Sequence, residues 1–275
     1  MGILILFFNK LLETNECINS YLPSEENIYI LNNGSESELW HKLQRKYVAH
    51  KQVHFIHSPK NLGPAKGRNL LIENTEEEWL FFVDNDITIK SPNDWVNEFR
   101  KFTKQNPAAE IICPKLFNIH ENELVHHPLF HIKDNVVSLD YKNAAVTNYF
   151  PSGASIVKRS VFDKYGLFEE DIFAFEDYEY AIRVLCKTGE LQAYVCNNIT
   201  LFHDHRYQVS RTDKEAVKKR YKEERLRNSF NFIQQKHCVI FDHDWKWWSK
   251  KQVTDMTGNP FLKKIKNGIK CLLRC

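Results

Sequence analysis

The sequence predicts an α/β fold with a central, mostly parallel sheet flanked by helices. Two observations lead there. Short apolar runs recur early in the chain, at residues 3–8, 28–31, 53–56 and 79–83. Segments with helical spacing stand between them. The runs are continuous rather than alternating, as in strands buried on both faces, and parallel strands need crossovers of this kind.

The first run follows Met-Gly with no basic stretch before it and is too short for a secretion signal, so it reads as a buried strand. Gly2 invites myristoylation, but Leu6 sits where Ser or Thr is wanted. A polar–apolar segment continues to about Tyr21. Residues 35–47 carry Leu39, Leu43 and Tyr47 at helical spacing, with Ser35 as N-cap and Glu38 completing a capping box. Residues 64–72 also read as a helix. In the second half, 111–114 reads as a strand, 117–142 as hairpins and loops, and 153–157 as a strand of small apolar residues. Residues 160–165 form a helix stopped by Gly166, and 176–187 a helix with Gly189 just beyond. Short strands are expected at 191–195 and 200–202, then a charged helix from Asp213 to about Lys236.

The 275 residues allow one large domain, or one domain with an extension. A net charge of +3 is too weak for a nucleic-acid-binding surface. The seven cysteines form no CxxC pair or zinc-like spacing, which fits free thiols in a reducing, cytoplasmic compartment. No stretch is long enough to span a bilayer.

Ligands of open parallel sheets bind beyond the carboxyl ends of the strands. The segments there are Asn32-Asn33-Gly34-Ser35, residues 59–63, and Asp84-Asn85-Asp86. In the last, an apolar strand runs into carboxylates at alternate positions. Extended backbone sends i and i+2 to one side, so Asp84 and Asp86 are expected to converge on a cation, with Mg²⁺ or Mn²⁺ suited to oxygen ligands. The plainer reading is a polar turn. At 176–179, Glu176, Asp177 and Glu179 open a helix. Either they simply complement the helix dipole, or one is a general base kept ionised by a lowered pKa. His203-Asp204-His205 follows a strand, as a metal ligand or as ordinary surface.

Together these segments resemble glycosyltransferase family 2, in order along residues 3–205. ILILFFNK resembles the family's opening strand and its Asn-bearing turn, with Asn9 at the Asn. YILNNGS resembles V-V-D-N-G-S, and NLGPAKGRN resembles N-x-G-x-x-x-A-R-N. FVDND matches the D-x-D strand end. GASIVKRSVFDKYGLF resembles the acceptor-side segment, FEDYEYAIR the G-E-D-x-D-L-x-x-R helix, and Phe202-His203 the late Y-H. The resemblance implies the GT-A type nucleotide-diphospho-sugar transferase fold, a nucleotide-sugar donor (UDP-linked), a divalent metal, and inversion at the anomeric carbon.

By position, it implies that Asp86 and His203 hold the metal, with Asp84 at the metal or the ribose. Asp177 is the implied base and Glu176 helps place the acceptor. Asn9, Asn32, Asn61, Arg68 and Asn85 fall on the nucleotide side, and Gly153 and Ala154 give the donor sugar room. Asn32 stands in place of an Asp that contacts the nucleobase, but its amide still offers a donor and an acceptor for uracil. Phe175 replaces a Gly and Glu179 an Asp, both on the acceptor side.

The expected organisation is a catalytic domain over 1–210, with a nucleotide-binding half to about 110 and an acceptor-side half to 210. A helical extension follows over 211–275. Within it, Trp245, Trp247 and Trp248 lie among lysines, and Phe261, Leu262, Ile265, Ile269, Leu272 and Leu273 fall at helical spacing between basic residues. That pattern fits peripheral contact with the inner face of a membrane, or a helix packed on the catalytic domain. The expected partners are the nucleotide-sugar donor and a glycan or lipid-linked glycan acceptor, as in surface polysaccharide synthesis. The alternative is a non-catalytic nucleotide-sugar or carbohydrate-binding protein on the same fold. GxGxxG is absent, which argues against a dehydrogenase, and no Gly-rich basic loop follows the first strand, as a nucleotidyltransferase would want.

Overall fold

The computed structural model describes residues 1–90, 94–120, 122–141, 144–204 and 222–248. Four parallel strands form one half of the main sheet: β1 (Gly2–Phe7), β2 (Asn27–Asn33), β3 (Val53–Ser58) and β4 (Trp79–Asp84). They lie in the order β4-β1-β2-β3, so the winding direction reverses between β1 and β4. A crevice opens at the carboxyl ends of the strands at such a reversal. Helices α1 (Leu11–Tyr21), α2 (Ser37–Tyr47) and α3 (Pro64–Glu73) provide the crossovers.

The continuous apolar runs are explained by burial on both faces. Ile3, Ile5 and Phe7 pack with Ile18, Tyr21, Trp40 and Leu43 of α1 and α2. Leu4, between them, points to the opposite face and joins the core that includes Leu71 and Ile72 of α3. The alternation is the period of two that a strand imposes.

After β4 come β5 (Ile87–Ile89), α4 (Asp94–Gln105), β6 (Ile111–Asn118) and β7 (Glu123–Val125). Next are β8 (Pro128–Lys133), β9 (Val136–Tyr141), β10 (Val146–Thr147), β11 (Ala154–Lys158), α5 (Arg159–Tyr165) and α6 (Glu176–Thr188). The chain continues with β12 (Ala193–His203), α7 (Glu223–His237) and β13 (Ile240–Phe241). β11 runs antiparallel between β4 and β6, and β12 runs parallel to β6. A smaller sheet has the order β13-β9-β8.

Several local expectations change. The capping box is not formed: α2 begins at Ser37 without a side-chain cap. Ser35 instead donates to the Phe7 carbonyl at 3.2 Å and accepts from Asn9 N–H at 3.1 Å, joining two loops. The two strands expected near 191–202 are one, β12, with a register shift between Cys196 and Thr200. β5 and α4 are additions.

Residues 222–248 of the expected extension belong to the core: Phe230, Ile233, Phe241 and Trp248 are buried with Phe130 and Tyr178. β13 pairs with β9. The boundary near 210 and the amphipathic stretch 255–275 lie outside the described residues. Among the described residues, no helix is long and apolar enough to cross a membrane.

Candidate functional site

The loops after β1, β2 and β3 are locked to one another. Asn9, at a φ of +59°, accepts the Glu36 N–H on its side-chain oxygen at 2.9 Å. Asn32 is buried, and both ends of its amide are engaged: Oδ1 accepts Ser35 N–H at 2.9 Å, and Nδ2 meets His57 Nδ1 at 3.0 Å. The donor–acceptor pair expected to face a base therefore supports the loop and orients His57. The exposed imidazole of His57 stacks over Trp40 at 6.3 Å and was not foreseen. Asn61 caps its own turn, accepting Gly63 N–H at 2.8 Å. Gly34, with φ +75°, lies so close to the Lys60–Asn61 backbone that a Cβ would come within 2.3 Å of Asn61 N.

The reversal point carries the charged groups. Strand β4 ends at Asp84, and Asn85-Asp86 form a turn before β5. The i, i+2 rule behind the expected convergence of Asp84 and Asp86 requires extended backbone, and the turn interrupts it, so the two acids take different partners. Asp84 Oδ1 accepts Arg68 Nη2 at 2.8 Å. Asp86 instead meets His203 Nε2 at 3.2 Å through Oδ1 and Lys10 Nζ at 2.7 Å through Oδ2. Burial opposes ionisation of Asp86, but the charges of His203 and Lys10 override it and hold its carboxyl well below the usual range. Asn85 turns away to donate to Thr14 Oγ1 on α1 at 3.0 Å.

These residues fit a divalent ion in a restricted way. A 3.2 Å separation of Asp86 Oδ1 and His203 Nε2 is close to that of neighbouring ligands about 2.1 Å from one ion. Among the described residues, no cluster of three or more His, Cys, Asp or Glu is arranged to hold a metal. Two protein ligands, completed by phosphate and water, are enough for Mg²⁺-like ions. Lys10 occupies the remaining Asp86 oxygen.

Arg68 bridges the two halves of the site. Its Nη1 donates to Glu176 Oε1 at 2.9 Å, while Nη2 holds Asp84. The guanidinium is buried, and its single charge faces these two carboxylates. Ser152 Oγ also reaches Glu176 Oε1, at 3.3 Å. Gly153 is required by this arrangement: a Cβ there would come within 2.3 Å of Asp84 Cγ. The room it leaves is taken by Asp84. Ala154 opens β11 beside it.

A cavity between the strand ends and the start of α6 is lined in part by Arg68, Asp84, Tyr149, Gly153, Asp177 and His203. Ala154 and Glu176 line it as well. Asp177 is buried there. Its Oδ2 accepts the Tyr149 hydroxyl at 2.6 Å, and its Oδ1 accepts Tyr178 N–H at 3.0 Å. The expectation that the helix N-terminus would lower its pKa is overturned: burial, then the charge of Glu176, raises it to about 6.

The two acceptor-side departures have structural causes. Phe175, at a φ of +66°, sits in the left-handed region where the family pattern has Gly. Such strain costs on the order of 1–3 kcal/mol. Burial of the ring against Tyr178, at 5.8 Å, and Phe230, at 6.5 Å, offsets it. Glu179 is fully buried, and its length lets it reach His237 of α7 at 2.9 Å.

Comparison with known proteins identifies the family and the fold. The glycosyl transferase family 2 profile matches residues 2–166, a span that includes Asp84, Asp86 and Gly153 and ends before α6. An uncharacterized Haemophilus influenzae protein is 25% identical over 171 residues, covering 60% of this chain and 91% of that one. The Mycobacterium tuberculosis pre-mycofactocin glycosyltransferase is 23% identical over 168 residues, covering 58% of this chain and 34% of that one. S. aureus TarS 1–349 in complex with UDP-GlcNAc aligns with TM-score 0.56 at 14% identity, over 75% of this chain and 59% of that one. GalNAc-T7 with UDP, GalNAc and Mn²⁺ aligns with TM-score 0.58 at 12% identity, over 94% of this chain and 57% of that one. The fold is therefore of the GT-A type, and the chain belongs to glycosyl transferase family 2.

Proposed function

We propose that the protein is an inverting glycosyltransferase that moves a sugar from a UDP-sugar to a hydroxyl of a glycan or glycolipid acceptor. The observation that carries this reading is Asp177: an acid with a pKa raised to about 6, lining a cavity shared with the strand-end Asp84 and His203. Family membership and a TarS structure that holds UDP-GlcNAc support the choice of donor.

In this reading the acceptor hydroxyl lies against Asp177. As its oxygen bonds to the anomeric carbon, its proton passes to the Asp177 carboxylate, and the bond from that carbon to the diphosphate breaks with the electron pair leaving on UDP. The attack comes from the face opposite the leaving group, so the configuration inverts. Arg68 keeps Glu176 and Asp84 in place on either side of the reacting centre. Asn9, Asn61 and the Asn32–His57 pair shape the nucleotide side, and Gly153 keeps the sugar side narrow by admitting Asp84. Asp86 and His203 would hold Mn²⁺ or Mg²⁺, which supplies Lewis-acid neutralisation of the departing diphosphate. GalNAc-T7, a protein of the same fold, was crystallised with UDP, GalNAc and Mn²⁺, which supports the use of a metal. The catalytic unit comprises residues 1–210 together with 222–248, which pack into the same core, and 255–275 would bring it to a membrane-held acceptor.

Asp177→Asn tests the reading. Release of UDP from a panel of UDP-sugars is expected to fall by about 10²-fold or more, with UDP binding unchanged. Undiminished turnover would remove Asp177 as the base.

A further inference from the structure

Tyr149 lies in none of the family-like segments, yet it makes the shortest contact to Asp177. Its hydroxyl donates to Asp177 Oδ2 at 2.6 Å across 28 residues of sequence. Its position is fixed from several sides. Asn148 clamps Phe130 of β8, accepting its N–H and donating to its carbonyl, both at 2.8 Å. The neighbouring Thr147 Oγ1 donates to the Pro128 carbonyl at 2.6 Å. The Tyr149 ring packs edge-on to Tyr178 at 5.6 Å and lies 6.0 Å from Phe130. Phe130 in turn stacks on Trp248 at 6.2 Å. The donor is thus carried by the segment after β10 and braced by β8, while its ring also packs on Tyr178 of the helix that carries the acid.

We propose that Tyr149 is a positioning residue for Asp177, fixing the plane of its carboxylate and stabilising its ionised form so that it is ready to accept a proton. The inference rests on the reading of Asp177 as the base. With Tyr178 N–H on Oδ1 and Tyr149 on Oδ2, the carboxylate is held at both oxygens, each keeping one lone-pair direction for the cavity. The groups that face this pair are few: Glu176 beside Asp177 on α6, Arg68 from α3, and Tyr141 and Tyr178 near the Tyr149 hydroxyl. The His127 ring lies 6.4 Å from that of Tyr149. Burial and Glu176 oppose ionisation, whereas Arg68 and Tyr149 favour it. A hydrogen bond to a charged group is worth roughly one to two pH units of stabilisation.

The test is the titration of Asp177 itself. In protein labelled with ¹³C-carboxyl aspartate, the Asp177 resonance is the one missing from Asp177→Asn. Tyr149→Phe is expected to move its midpoint up by about one pH unit. Replacing Tyr149 with 3-fluorotyrosine, a stronger donor of the same shape, is expected to move it down. If Tyr149→Phe does not fold, the fluorinated protein decides alone. An unmoved midpoint would overturn the proposal, because a merely structural tyrosine would leave that titration in place. The outcome is separable from the base assignment: undiminished turnover in Asp177→Asn would remove the base while leaving the Tyr149 titration shift intact.

Discussion

Gly153 and Asp84 share a space that only one of them can fill. Asp84 N–H donates to the Gly153 carbonyl at 2.8 Å, pinning β4 to the residue before β11. The Asp84 carboxylate then lies over the Gly153 α-carbon on its way to Arg68. Because the backbones are tied, an added methyl cannot be relieved by moving the strands. Gly153→Ala is expected to push the carboxylate off Arg68, costing about 1–3 kcal/mol of stability. UDP affinity should fall with it. Urea unfolding and calorimetry check both, and a variant with wild-type stability and affinity would contradict the close approach.

Arg68 is the only cation that the two carboxylates Asp84 and Glu176 share among the described ion pairs. Arg68→Met leaves the buried Glu176 without its cation, with only the Ser152 hydroxyl on the same oxygen, and is expected to destabilise the protein by about 3–5 kcal/mol. The double variant Arg68→Met, Glu176→Gln should recover a substantial part of that loss, because the uncompensated charge is gone. A double-mutant cycle by urea unfolding measures the recovery. Additive losses would show that the pair is not coupled.

Asp177 makes stability depend on pH in a defined direction. Its folded pKa is raised from 3.8 to about 6, so between those values the folded protein holds a proton that the unfolded chain has lost. Stability contributed by this group therefore declines as pH rises from about 4 to about 6 and is level above. Asp177→Asn should flatten that part of the stability curve and be more stable than wild type at pH 7. Thermal melts from pH 4 to 8 test this, and parallel curves for the two proteins would contradict the raised pKa.

Lys10 holds one oxygen of Asp86 at 2.7 Å. If Asp86 and His203 bind Mn²⁺, the lysine charge opposes the metal. Lys10→Met is expected to tighten Mn²⁺ binding by about tenfold, roughly 1.4 kcal/mol. Paramagnetic relaxation of water protons measures the affinity. Equal or weaker binding in the variant would place the metal elsewhere.

The sequence made the strand framework legible because β1 to β4 are buried on both faces and read as unbroken apolar runs. It also singled out Asp84, Asp86, Asp177 and His203, which stand at or just beyond a strand end or at a helix start, whereas Arg68, in the middle of α3, was reached only through the family-like segment. It did not show the turn at Asn85 or the separate partners of Asp84 and Asp86, because a rule about extended chain carries no information on a turn. β12 read as two strands because Asn197 and Asn198 interrupt the apolar run where the register shifts. In α7, dense charge masked Leu226, Phe230 and Ile233, which are spaced to bury one face. Trp248 joins that core as well, where the tryptophans had left a membrane surface and packing on the catalytic domain both open. Tyr149 and His57 left no local signal: each acts through a partner 25 or more residues away.

The most direct test of the central claim is calorimetric titration of the protein with UDP, GDP, ADP, CDP and TDP, each with and without Mn²⁺. The account predicts that UDP alone binds with appreciable affinity, that Mn²⁺ strengthens the binding, and that Asp86→Ala abolishes the metal effect. Absence of binding to every nucleotide by the folded protein, with or without Mn²⁺, would contradict a nucleotide-sugar site at the ends of β1 and β4.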